Sequence, residues 1–248
     1  MGRHRGVCYS DRMTGLNDPI LPGQGASDYE RYLRTDELLA LQKPLDQMAH
    51  RDELLFQTIH QSSELWMKLA CFELETALAH IGTGRLAQAT RLVRRAVAAL
   101  DRVQDATLML ENLAPWDYHG VRSELGHGSG FDSPGFRQIH DLSPKLAHAF
   151  MALLEQRGVS LRDIYRDRDT HAEIFDLAER FMDWDQRLVM WRTLHLKLVE
   201  RIIGGHVIGT QGTPVEVLGR RLDVRYFQPL WDIRNALTDE AGTGPDAR

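Results

Sequence analysis

One histidine interrupts a stripe of large apolar residues in the second half of the chain. Two rows of positions, each seven residues apart, form an a/d seam that predicts one helix packed into a bundle: Ile174, Phe181, Leu188, His195 and Ile202, and Leu177, Trp184, Trp191 and Leu198. An imidazole aimed at a core must satisfy its ring nitrogens, either by hydrogen bonds or by ligating a metal. The seam alone leaves both explanations of His195 open.

A second histidine lies on another apolar helical pattern, "ELLFQTIHQSSELWMKL" at 53–69. Phe56, His60 and Ser63 fall on one face because they are three or four residues apart. Small and polar residues therefore interrupt a helix that is otherwise suited to the interior. This pattern fits either a hydrogen-bonded polar layer or the wall of a cavity into which His60 points.

Two inward histidines restrict the metal chemistry. The chain has no His-Glu-x-x-His motif and no cysteine pair, and the seam helix is expected to keep its carboxylates outside, unlike a di-iron bundle. A cofactor that needs only one or two protein ligands fits better. Haem is such a cofactor, because one proximal histidine holds the iron.

Two glycine-rich loops contain residues suited to binding an amino acid. In residues 115–133, Tyr118 and Arg122 combine a phenol with a forked donor that matches a carboxylate, although a plain surface arginine is equally compatible with a loop. Nearby Ser129 and Gly130 would let the backbone approach a flat ligand. The second loop, "GTQGT" at 209–213, offers Thr210 and resembles a closing segment.

Long helices must position these groups. The pattern predicts helices over about 35–43, 51–82, 86–113, 136–157, 159–166 and 171–203, and a last one ending near 237, with a loop over 115–133. We therefore expect an all-α bundle. We divide it into a flexible lead (1–27), one helical domain (28–237) and a polar tail (238–248).

Composition excludes several functional classes. The 248 residues are 43% hydrophobic, enough for one large core, and the net charge of −5 with no long basic run argues against a nucleic-acid partner. No apolar run is long enough to span a membrane, and the N-terminus has no secretory apolar segment. Two distant cysteines are consistent with a reducing cytoplasm.

Several spaced motifs together resemble the tryptophan 2,3-dioxygenase family. They are "YERYL" at 29–33, "HQSSELWMKL" at 60–69, an arginine followed by "SGF" over 122–133, and "RTLHLKLVERIIG" followed by "GTQGT" over 192–213. The resemblance spans about residues 28–236. It implies a helical bundle that encloses b-type haem and forms a homo-oligomer, expected to be a homotetramer.

The resemblance also implies a role for each motif residue. His195 corresponds to the proximal haem ligand and His60 to the distal histidine that meets the indole nitrogen. The expected substrate contacts are Phe56, Tyr118, Arg122 and Thr210, joined by Tyr29, Tyr32 and Leu33 from a neighbouring subunit. The expected cofactor contacts besides His195 are Ser129, Gly130 and Trp191.

The chain departs from the family pattern at several places. Asp132 stands where a glutamine is usual and Gln211 where glycine is common, and Thr107 stands where the family typically has an aromatic residue, eleven positions before Tyr118. The stretch between 140 and 171 is also shorter than in most family members, because it lacks a helical segment that they carry there. These departures leave haem ligation intact and concern the shape of the pocket.

The implied reaction is insertion of O₂ across the indole C2–C3 bond of L-tryptophan or a close derivative, giving N-formylkynurenine. Within the family, the alternative is monooxygenation of tryptophan or methyl-tryptophan to a 2-oxindole. A different class of protein, a non-catalytic haem- or ligand-binding bundle, would keep His195 but would not need Tyr118, Arg122 and Thr210 together.

Overall fold

The described part of the computed structural model, residues 18–205, 219 and 222–242, consists of helices joined by turns and irregular segments and contains no β-strand. Within these residues, nine α-helices follow one another: α1 Asp28–Leu33, α2 Thr35–Leu39, α3 Glu53–Gly82, α4 Leu86–Leu108, α5 Pro115–Arg122, α6 Pro134–Arg157, α7 Leu161–Arg166, α8 Ala172–Ile203 and α9 Gln228–Glu240. Short 3₁₀ turns cover Leu45–Gln47, Met109–Asn112 and Gly130–Asp132. The predicted all-α class is confirmed.

The chain divides into two compact units, residues 1–48 and 49–248. In the first unit, Ser27 and Glu30 form a reciprocal capping box at the start of α1. The Asp28 carboxylate accepts the backbone N–H groups of Ile20 at 2.9 Å and Leu21 at 2.7 Å. These bonds tie part of the predicted lead to α1.

Four long helices form the core of the second unit. Helix α3 packs on α4 and α6, and α4 packs on α8. Helix α4 buries residues at helical spacing, among them Ala89, Val93, Ala96, Leu100 and Val103. Small and branched side chains on this face let α3 and α8 approach α4 closely.

The seam of α8 is tightly packed at first and then opens. Phe181, Trp184 and Leu188 are fully buried, as the sequence predicted. Trp191 and His195, in the next two turns, are only half-buried, although Leu198 and Ile202 beyond them are buried again. The interruption in the seam therefore marks a cavity within the bundle.

The segment predicted as a loop over 115–133 begins with a helix, α5. Pro115 occupies its first turn, where a missing N–H costs nothing and the fixed φ favours the helix. Only the part after Arg122 is irregular. The prediction overestimated the loop because its glycines lie mostly beyond residue 122.

Asp185 contradicts the expectation that α8 keeps its carboxylates outside. It is fully buried and accepts three N–H groups, from the backbones of Tyr226 at 2.9 Å and Phe227 at 3.2 Å and from Nε1 of Trp231 at 2.9 Å. A buried carboxylate is stable only with such donors. Asp185 therefore attaches the segment leading into α9 to the seam helix.

We predict that Asp185→Ala lowers the free energy of unfolding by about 3 kcal/mol or more, because three buried donors lose their acceptor. Asp183→Ala, two residues away, is the matched control. Asp183 forms a partly exposed pair with Arg180, so its loss should cost about 1 kcal/mol or less. Urea unfolding measures both changes, and equal losses would contradict the role assigned to Asp185.

Candidate functional site

A cavity of about 610 Å³ lies within the unit of residues 49–248. Helices α3, α4, α5, α6 and α8 line it, together with the glycine-rich loop before α6. Eight of the residues singled out in the sequence contribute to its wall: Phe56, His60, Tyr118, Arg122, Ser129, Gly130, Trp191 and His195. Residues far apart in sequence thus face one space.

His195 lines the cavity from α8. Neither ring nitrogen has a hydrogen-bond partner among the described residues, and one ring face lies against Trp191, with ring centroids 5.1 Å apart and planes 18° apart. Burial, together with the smaller effect of the nearby His60, lowers the pKa of His195 to about 4. His195 is therefore neutral near pH 7, the state in which an imidazole ligates a metal.

His60 lines the cavity from α3 and is held in one tautomer. Its Nδ1 lies 2.7 Å from the carbonyl oxygen of Phe56. A carbonyl oxygen only accepts, so Nδ1 carries the hydrogen and Nε2 is left as an acceptor. Burial lowers the pKa of His60, although the hydrogen bond to the Phe56 carbonyl opposes this shift. The lowered pKa favours the neutral form of the imidazole.

Tyr118 and Arg122 lie one turn apart on α5, so both side chains occupy the same face and line the cavity. Burial raises the pKa of the Tyr118 phenol, while the Arg122 guanidinium partly opposes that rise. The phenol therefore remains protonated and able to donate near pH 7. The ring of Phe56 lies 6.3 Å from that of Tyr118, which places the α5 pair beside the α3 wall.

The glycine-rich loop is fixed by hydrogen bonds to its own residues. Ser129 Oγ accepts the N–H of Phe131 at 3.3 Å, and the Ser129 N–H donates to the carboxylate of Asp132 at 3.0 Å. Asp132, one of the departures from the family pattern, thus closes a capping box around Gly130.

Glu64 joins this loop to α3 and was missed in the sequence. Its carboxylate accepts Ser133 Oγ at 2.5 Å and the Gly135 N–H at 3.0 Å. Gly135 has no room for a side chain, since an added Cβ would lie 2.7 Å from Cβ of Met67. The available signal was the position of Glu64, one turn after His60 on the same helix.

A further group of potential metal ligands, His50, Asp52 and Asp117, converges near the start of α5, with ligand atoms within 4.8 Å of one another. His50 Nδ1 accepts the backbone N–H of Asp52 at 3.2 Å, and Nε2 lies 3.6 Å from the Asp117 carboxylate. These contacts account for the group as a link between α5 and the chain entering α3.

Four predicted substrate contacts are not part of the cavity wall as described. Tyr29, Tyr32 and Leu33 lie on α1 in the first unit and are 67%, 77% and 45% exposed. Thr210 lies outside the described residues.

The structure describes no helix long and apolar enough to cross a membrane.

Comparison with known proteins identifies one family. The sequence profile of the family described as tryptophan 2,3-dioxygenase matches residues 18–148. The tryptophan 2,3-dioxygenase of Caulobacter vibrioides is 34% identical, over 84% of this chain and 98% of that protein. Those of Bacillus anthracis and Shewanella woodyi are 33% and 29% identical over 84% of this chain, and the matches cover 92% and 90% of their own lengths.

Proposed function

Because the chain belongs to the tryptophan 2,3-dioxygenase family of oxidoreductases, we propose that it is a haem-dependent oxygenase that acts on L-tryptophan or a close derivative. The proposed reaction inserts O₂ across the indole C2–C3 bond and gives N-formylkynurenine. The observation that carries this proposal is the convergence of His195, His60 and the Tyr118–Arg122 pair on one cavity.

The residues of the cavity fit haem b. His195 offers a neutral imidazole with no competing hydrogen bond among the described residues, and the surrounding wall is largely apolar, including Val103, Leu188 and Leu198. In the proposal, His195 holds the iron, while Trp191 and the loop residues Ser129 and Gly130 contact the cofactor. When bound, haem supplies the activation of O₂ that no side chain provides.

The α5 pair binds the substrate in this proposal. The Arg122 guanidinium pairs with the substrate carboxylate, and the protonated Tyr118 phenol donates to the same group. Both lie on one face of a helix, so their spacing is set before the ligand arrives. Thr210, in the glycine-rich segment after α8, completes the contacts to the amino acid.

His60 orients the other end of the substrate. Because its Nδ1–H donates to the Phe56 carbonyl, Nε2 remains available to accept the indole N–H. The depressed pKa of His60 keeps that nitrogen unprotonated near pH 7. Phe56, whose ring lies 4.0 Å from the His60 ring, forms the aromatic side of the pocket. The Tyr118–Arg122 pair at the carboxylate and His60 at the indole N–H together fix both ends of the substrate.

The proposal also includes a homotetramer in which the pocket is completed by a neighbouring subunit. Tyr29, Tyr32 and Leu33 expose a large apolar area within the single chain, which is costly in water. Burial over a neighbour's pocket would remove that cost and shield the substrate from solvent. In this proposal the haem-binding domain spans residues 28–237.

Within this proposal, the first prediction tests the reaction and its cofactor. Ferrous protein supplied with haem, L-tryptophan and ¹⁸O₂ should give a product heavier by two labelled oxygens, and His195→Ala should purify with little haem and no Soret band. Mass spectrometry and absorption spectra measure these outcomes. One labelled oxygen would indicate a 2-oxindole, and a Soret band without a tryptophan-induced change would indicate a non-catalytic haem protein.

A second prediction concerns Arg122. Arg122→Ala should weaken L-tryptophan binding by about 2–5 kcal/mol, because a charged contact is lost from a pocket shielded from water. Tryptamine, which lacks the carboxylate, should bind the variant and the parent protein alike. Arg102→Ala, which removes a surface arginine paired with Asp105, is the control. Spectral titration measures the affinities, and equal losses for both ligands would refute the clamp.

The third prediction concerns the contribution of the neighbouring subunit. Deletion of residues 1–34 should leave the helical bundle and its haem but abolish turnover. Mixed oligomers of this deletion with full-length His195→Ala should regain part of the activity, because the intact haem of one subunit then meets the intact α1 of the other. Full activity of the deletion alone, or no rescue in verified hybrids, would rule out completion of the pocket in trans.

A further inference from the structure

Three aromatic rings lie in a row along the cavity wall between α6 and α8. The ring of Phe136 stacks on that of Trp191, with centroids 3.9 Å apart and planes 30° apart. The ring of His195 also stacks on that of Trp191, with centroids 5.1 Å apart and planes 18° apart. Trp191 is thus the middle member of the row. Its position determines the surface against which the imidazole lies.

This contact matters because no hydrogen bond among the described residues fixes the imidazole. An imidazole can rotate about the bond that joins it to Cβ, and a metal-bound histidine is usually held by a hydrogen bond from its second ring nitrogen to a carbonyl or carboxylate. Among the described residues, His195 makes no such bond, although His60 on α3 does. The stacked indole of Trp191, nearly parallel to the imidazole, is therefore the contact that can orient its ring plane.

The indole of Trp191 is itself held by one hydroxyl on α4. Its Nε1–H donates to Oγ1 of Thr107 at 3.3 Å, and the same hydroxyl donates to the carbonyl of Val103 at 2.7 Å. Thr107 is 6% exposed and lines the cavity. Because its proton is directed to Val103, the hydroxyl oxygen is presented to the indole as an acceptor.

We propose that Thr107 is a positioning residue that acts through Trp191 to fix the plane of the His195 imidazole for ligation of the haem iron. The inference rests on the proposed function, in which His195 holds haem. It assigns a part in haem binding to α4, although this helix supplies no ligand to the iron. It also gives a role to a position where the chain departs from the family pattern.

The test compares two substitutions at this position. Thr107→Val keeps the shape and removes the hydroxyl, whereas Thr107→Ser keeps the hydroxyl. In the ferrous haem-loaded protein, Thr107→Val should shift or broaden the iron–histidine stretching band in the resonance Raman spectrum. Transfer of haem to apomyoglobin should also become about tenfold faster, as for loss of an outer partner of a metal ligand. Thr107→Ser should match the parent protein in both measurements.

The matched control is Thr90→Val on the same helix. Thr90 makes the same kind of bond to the carbonyl four residues earlier, at 2.9 Å to Leu86, but it is not part of the cavity wall. Its substitution should leave the band and the transfer rate unchanged. If Thr107→Val does not fold, Trp191→Phe serves instead, because it retains an aromatic ring but has no N–H and should produce the same spectral change.

The outcomes separate this inference from the proposed function. A parent-like band and transfer rate in Thr107→Val, or a Thr107→Ser variant that behaves like Thr107→Val, would overturn the positioning role while His195 remained the ligand. Absence of an iron–histidine band in the parent protein would overturn both. A selective change in Thr107→Val, with recovery in Thr107→Ser, supports the inference.

Discussion

An open space inside a close-packed helical bundle is the constraint on which the site depends. Protein interiors pack like organic crystals, and a void in an apolar core costs stability because its lining loses contacts. Leu188 and Leu198 on the seam of α8 are buried, whereas Trp191 and His195 between them are only half-buried and line the cavity. A bound planar cofactor would restore the contacts that the bundle leaves unmade.

Buried and partly buried polar contacts join the elements that surround that space. Glu64 ties the glycine-rich loop to α3, Asp185 ties the chain entering α9 to α8, and Thr107 ties the indole of Trp191 to α4. A polar group in an apolar interior is stable only in the arrangement that satisfies it. Each contact therefore favours one relative placement of two elements, which an apolar contact would specify less sharply.

The two cavity histidines differ in what surrounds them, and this difference suits them to different tasks. His60 has one nitrogen committed to the Phe56 carbonyl, which leaves a single oriented acceptor. His195 has no committed nitrogen among the described residues and is steadied by a ring face. Burial lowers the pKa of both, so that both are neutral near pH 7. One is thereby suited to meet an N–H group and the other to meet a metal.

The sequence by itself determined the all-α class, the long helices and the positions of the two histidines. These features depend on helical periodicity and turn-forming residues, which involve only residues close together in the sequence. It did not determine that Asp185 is buried, since a carboxylate beside a seam is buried only if distant donors reach it, and these come from residues 226–231. Nor could it show that Thr107 and Trp191 share a hydrogen bond across 84 residues. Such contacts depend on how the helices cross, which only the tertiary structure decides.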